Sequence, residues 1–203
     1  MALSKIDIAN MVTGATPVAN GGTGLTSGTS GQFLKFTGST TLASAADNAG
    51  KIAQVVYGEY NQQVTSSAGG FVDSGLTASI TPSATSSKIL VLVTQQTGKG
   101  NTSTGGYYFN LRLQRQIDSG GYSDVKYVTS LGNYEAGTSG GDKYISTHEY
   151  SLNHLDTTNT TSQVDYKTIT NAETGMITNI DDTGSAHRGE ASMVLMEILA
   201  WHI

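Results

Sequence analysis

The chain has no cysteine, only two prolines, and a charged fraction of 13%. Without cysteine, disulfides and thiolate metal sites are excluded. Stability must then come from packing, within the chain or between copies. The low proline and charge also set the chain apart from disordered sequences, which normally carry more of both. Basic residues number 11 against 16 acidic, for a formal net charge of −5. No basic cluster exists beyond Arg112 and Arg115. That excludes nucleic-acid binding through the phosphates, which needs clustered Lys and Arg. No apolar run approaches the roughly 20 residues of a membrane helix, so no membrane insertion is expected. No basic start followed by an apolar stretch opens the chain, so no secretion signal is read.

What fills the gap left by charge is uncharged: Ser, Thr, Asn, Gln and 25 Gly among 203 residues. Thr and Gly-rich turns favour strands over helices. The length suits one ordinary domain with an appendage. We place the boundary at residue 50, with an arm at 1–50 and an all-β domain at 51–203.

Residues 1–12 hold the one helix start. Ser4 can cap it, with Asp7 three residues on, and Leu3 and Ile8 fit a hydrophobic staple. Ile6 and Ile8 also alternate as in a strand. From 13 to 50 only Lys35 and Asp47 are ionisable, and apolar residues come in short pairs such as Phe33–Leu34 and Leu42–Ala43. Such a segment cannot form a private core. It can lie along a partner surface or wind with copies of itself.

From Lys51 the pattern becomes β. Strands are expected over 52–64, 71–80, 88–96, 107–117, 122–131, 143–155, 162–170, 175–181 and 190–201. The segment 88–96 (KILVLVTQQ) is apolar on both faces and is expected to be buried on both sides. In 107–117, Tyr107, Phe109, Leu111, Leu113 and Ile117 face one way, interrupted only by Arg115. About nine strands with turn signals between them indicate a sandwich or barrel. Their length and short loops favour a jelly-roll-like β-sandwich with an extended Gly/Ser/Thr-rich N-terminal arm.

No motif carries chemistry. The stretch 21–28 (GGTGLTSG) lacks the Lys of a phosphate loop, and Gly98–Lys99–Gly100 lacks the hydroxyl residue after it. His148 and His154 fall on one strand face but stand roughly 20 Å apart, too far to share a metal. No G-x-S-x-G elbow exists, and the carboxylates are no more numerous than in any soluble domain. We expect no catalytic residue, metal or cofactor. Glu197 lies inside an apolar run and needs a partner, for which Arg112, Arg115 or Lys88 are candidates. Tyrosines at loop edges, Tyr107, Tyr122 and Tyr134, are the candidate receptor contacts, because a flat apolar ring with a hydroxyl suits sugar or protein surfaces.

Three stretches carry a resemblance. Residues 16–24 (TPVANGGTG) resemble a motif that recurs in bacteriophage tail fibres. Residues 76–93 (LTASITPSATSSKILVLV) are similar to the start of a domain in fibre and structural proteins of marine and cyanobacterial phages. Residues 155–168 with 192–198 resemble its later strands. The resemblance implies a virion component made in the host cytoplasm, on the tail rather than the capsid: a short homotrimeric fibre. It implies an N-terminal segment docked on other tail or capsid proteins, with Leu3, Ile6, Ile8, Met11, Val12, Pro17 and Val18 as the apolar docking candidates. Host surface glycan or protein is a further candidate partner. A capsid decoration protein, a head fibre and an adaptor for another fibre are the alternatives, and a glycan hydrolase ranks last. The arm passes almost directly into the β domain without the shaft of long fibres.

Overall fold

The computed structural model describes residues 25, 28–39, 41–45, 51–66, 70–99, 105–135, 146–172, 176–178 and 189–199. The N-terminal helix start and the seven docking candidates lie outside the described residues. The chain divides into two units, residues 1–49 and 50–203. Among the described residues there are twelve strands and no helix.

In the first unit, β1 (Phe33–Phe36) and β2 (Leu42–Ala45) form an antiparallel hairpin. It closes where Thr37 N donates to Thr41 O at 2.9 Å. Ser44 Oγ donates to Gln32 Oε1 at 2.7 Å. Every residue of β1 is exposed, including Phe33, Leu34 and Phe36. The sequence pattern did not predict this hairpin. Its apolar residues come in pairs, so alternation gives no single buried face.

The second unit is a jelly roll. Its strands are β3 (Ile52–Tyr60), β4 (Val64–Ser66), β5 (Val72–Ile80), β6 (Lys88–Lys99), β7 (Gly105–Ile117), β8 (Ser123–Glu135), β9 (Ser146–Thr157), β10 (Val164–Ala172), β11 (Met176–Thr178) and β12 (Ala191–Ile198). The back sheet has the order β5-β10-β7-β8. In the front sheet β3 pairs β12, β12 pairs β6, and β6 pairs β9. Since β9 lines one edge of β6 along its whole length, the short β11 takes the other edge, continuing the β12 row, and β4 joins β11. All pairings are antiparallel, and four long pairs (β3·β12, β5·β10, β6·β9, β7·β8) wrap into two facing sheets.

Alternation decides which residues face inward. In β7, Phe109, Leu111 and Leu113 are buried; in β6, Ile89, Val91 and Val93; in β12, Ala191, Met193 and Leu195. With Leu76, Ile80, Val164 and Tyr166 they form the core between the sheets. Burying each large apolar side chain contributes roughly 1.5–3 kcal/mol relative to exposure. The interior also holds a polar cluster, where Ser74 Oγ donates to Thr168 O at 3.0 Å and Thr168 Oγ1 to Gln95 Oε1 at 3.3 Å.

One glycine matters to this frame. β5 bulges opposite Lys167 and Ile169, and within the bulge Gly75 takes φ +84°. The Tyr60 ring occupies the space where a Cβ would stand. Only glycine allows both the backbone turn and that contact.

Three expectations need correcting. β6 is covered on one face only: Leu90 and Leu92, on the other face, are half-buried, because a two-layer sandwich leaves the outside of each sheet without cover from its own chain. The strand expected over 122–131 runs on as β8 to Glu135, so Tyr134 is its penultimate residue and registers with Gly106 in β7. Among the described residues Glu197 pairs with no cation, as described next.

Candidate functional site

Two buried carboxylates hold the sandwich together. Asp156 of β9 crosses from the front sheet to the back. Arg115 Nη1 donates to both of its oxygens, at 2.7 and 2.9 Å. The Tyr166 hydroxyl donates to Asp156 Oδ2 at 2.7 Å. Burial, reinforced by that hydrogen bond, pushes the Tyr166 phenol far above its ordinary range. Arg115, the one interruption in the apolar face of β7, is therefore half of an inter-sheet ion pair.

Glu197 is fully buried at the end of β12. Its Oε1 accepts from Ser83 N at 2.6 Å and from Ser83 Oγ at 2.7 Å. Its Oε2 accepts from Gln54 Nε2 at 2.7 Å. Burial alone would raise this carboxyl, but the bonds from Ser83 and Gln54 outweigh it and hold it below its ordinary value. The Ser87 hydroxyl adds to the lowering, though its geometry falls short of a full hydrogen bond. The three cations proposed from sequence are occupied elsewhere. Lys88 donates to Thr157, Arg112 pairs Asp124, and Arg115 pairs Asp156. Both carboxylates are committed to structure, and neither has the open geometry of a catalytic acid or base.

The outer faces of the two sheets differ. On the front sheet, registered neighbours place Val55, Met196, Leu90 and Leu155 in one row across all four strands. The next row holds Tyr57, Val194 and Leu92, with Asn153 on β9. Ile52 and Ile198 extend the band on the other side. Val55 and Tyr57 keep 57% and 56% of their surface, and Leu155 keeps 50%. Acidic groups sit beside the band: Tyr57 OH donates to Glu190 Oε1 at 3.0 Å, which raises the Tyr57 phenol.

On the back sheet the corresponding face is polar and ringed. One row reads Asp73, Ile169, Arg112, Tyr127, and the next Thr77, Lys167, Gln114, Asp124. Two ion pairs run diagonally between the rows, Lys167–Asp73 at 2.8 Å and Arg112–Asp124 at 2.7 Å. The Arg112 guanidinium stacks on Phe71 at 3.9 Å and on Tyr127 at 4.4 Å. Lys167 Nζ lies 4.3 Å from the centre of the Tyr122 ring. Gln114 Nε2 donates to Asp124 Oδ1 at 2.8 Å.

Of the three receptor candidates, Tyr122 joins this face and is 39% exposed. Partial burial and the nearby Asp165 raise its phenol, opposed by Lys167. Tyr107 and Tyr134 lie farther along the same β7–β8 pair, where Tyr107 registers with Asn133 and Gly106 with Tyr134. Sequence inspection missed Phe71, Arg112, Tyr127 and Lys167 as a group, because they come from four separate segments. It also missed Val55 and Tyr57, although their alternation within β3 was there to be read. Among the described residues, no group of His, Asp and Glu is placed to hold a metal ion.

No family model matches the chain, and no curated protein matches it. Among solved structures, the VP2 subviral particle of infectious bursal disease virus overlaps it with a TM-score of 0.33 at 13% identity, over 82% of this chain and 37% of that one. The T13 viral particle of the same virus gives 0.36 and 14%, over 82% and 40%. Its Gt strain gives 0.35 and 14%, over 82% and 42%. The chain thus spans less than half the length of these proteins. At such TM-scores the overlap carries no functional argument.

Proposed function

We propose that this chain is a non-enzymatic structural component of a phage virion, a short trimeric tail fibre. Copies of the 51–203 domain pack together through the outer face of the front sheet, and residues 1–50 dock on the particle. The observation that carries this is the apolar band across β3, β12, β6 and β9, with Val55, Tyr57 and Leu155 more than half-open or at half exposure. Four strands about 4.8 Å apart and three residue rows give a footprint on the order of 400 Å². Exposed apolar patches of a few hundred Å² commonly mark interaction sites. A standard interface takes about 800 Å² from each partner, so the band fits as the apolar centre of a contact whose rim is polar. The resemblance of residues 16–24 and 76–93 to phage fibre segments supports the same reading and supplies the trimer and the tail.

Two experiments test it. Deleting residues 2–24 should abolish incorporation into particles while the β domain stays folded by circular dichroism. Normal incorporation of the deletion would refute the docking role. Replacing Val55 and Leu155 together by Asp should dissociate the assembly without unfolding the domain, since both side chains are at or above half exposure.

A further inference from the structure

Self-association through the front sheet leaves the outer face of the back sheet unused, and that face has its own chemistry. We propose that it binds a neutral saccharide, across Gln114 and between the rings of Tyr122 and Tyr127. The two rings keep 39% and 45% of their surface. The side chains of Asp73 and Asp124 keep 50% and 40%. Phenol rings, carboxylate oxygens and an amide thus share one flat, solvent-facing surface. Each has a match on a pyranose. The C–H face of a sugar ring packs on a phenol, and its hydroxyls donate to carboxylates and accept from amide and guanidinium N–H groups.

The geometry also limits what else fits. Lys167 and Arg112 each already carry a carboxylate and a ring. Their charge is neutralised in place, so the face offers no surplus for a phosphate or a sialic acid. A dry protein contact would need an apolar centre. Here the two central rows contain a single aliphatic side chain, Ile169, where the front sheet presents a continuous band. The stacks hold the donors and acceptors rigid before a ligand arrives, which lowers the ordering cost of binding. The strand backbones at Lys167 and Arg112 lie diagonally about 8 Å apart, from the strand spacing and rise. That separation suits a short oligosaccharide laid across the sheet rather than one enclosed sugar.

The test uses the full chain on an array of neutral oligosaccharides built from glucose, galactose, mannose and N-acetylglucosamine, with sialylated and phosphorylated counterparts. Binding to a neutral member is expected. Tyr127→Ala and Tyr122→Ala should each weaken it by about tenfold, the loss of one stacked ring. Thr65→Ala, in the short β4 strand of the front sheet, should leave it unchanged. Saturation-transfer NMR on the same samples should place the ligand against tyrosine ring protons. The proposal is overturned if no neutral oligosaccharide binds, if only the anionic counterparts bind, or if binding survives the Tyr122→Ala/Tyr127→Ala double variant. Light scattering on each sample reports assembly separately, so saccharide binding and self-association fail or stand independently.

Discussion

The two sheets share one core and one alternation rule, yet their outer faces have opposite character. On the front, Val55, Met196, Leu90 and Leu155 make an apolar row. On the back, one row holds Thr77, Lys167, Gln114 and Asp124, and Arg112 in the next row pairs Asp124 and stacks on Tyr127. Solvent alone would make both faces polar, as on the exposed side of most antiparallel sheets. The front face thus leaves Val55, Tyr57 and Leu155 open to solvent, which is what the proposed self-association would cover, while the back face holds its polar groups in ordered pairs. The inner faces are alike because both serve folding.

The largest effect is expected where the two sheets are tied together. Asp156→Ala leaves Arg115 without its carboxylate and Tyr166 without its acceptor. A loss of about 3 kcal/mol is expected, the low end for breaking a buried pair because Arg115 keeps some contact with water. Urea denaturation measures it, and both faces should lose function together. Next comes Val55→Asp with Leu155→Asp. Self-association should weaken by roughly 100-fold, about 3 kcal/mol, while the urea midpoint of the dissociated domain changes little. A smaller loss is expected from Arg112→Ala, which removes a stacked cation and a partly exposed ion pair. About 1–2 kcal/mol should be lost with no change in mass, because the residue lies on the back face.

Acid gives a graded test of the Glu197 cluster. Glu197 is held below its ordinary carboxyl value in the folded chain. Its contribution is complete above the unfolded value and disappears as pH falls through the depressed folded one. Urea midpoints measured in steps from neutral pH into acid should therefore fall, and Glu197→Gln should flatten part of that fall. The smallest effect is expected from Thr77→Asp on the back face. It should change stability by no more than about 0.5 kcal/mol and leave the mass unaltered. A dissociated assembly in that variant would erase the distinction between the faces.

The strands were largely legible in the sequence, because period-two alternation reports burial directly. Phe109, Leu111 and Leu113 face the core as expected from the pattern of β7. The jelly-roll arrangement followed from strand number and length. What was not legible depended on pairing across distance. Glu197 looked as if it needed a cation, but its partners are Ser83 and Gln54, 114 and 143 residues away. Arg115 looked like an interruption until Asp156 came across from the other sheet. The back-face cluster draws Phe71, Arg112, Tyr122, Tyr127 and Lys167 from segments that share no local motif. The hairpin at 33–45 escaped because β1 is exposed along its length and β2 is half-buried along its length, so neither strand alternates between a buried and an open face. Leu90 and Leu92 were legible as a second apolar face, but the chain itself leaves them half-buried.

The central claim is that copies of the chain cover that face. Light scattering on the purified full chain at micromolar concentration tests it most directly. The account predicts a mass three times the 21.2 kDa of one chain. A stable species of 21.2 kDa under the same conditions would contradict it.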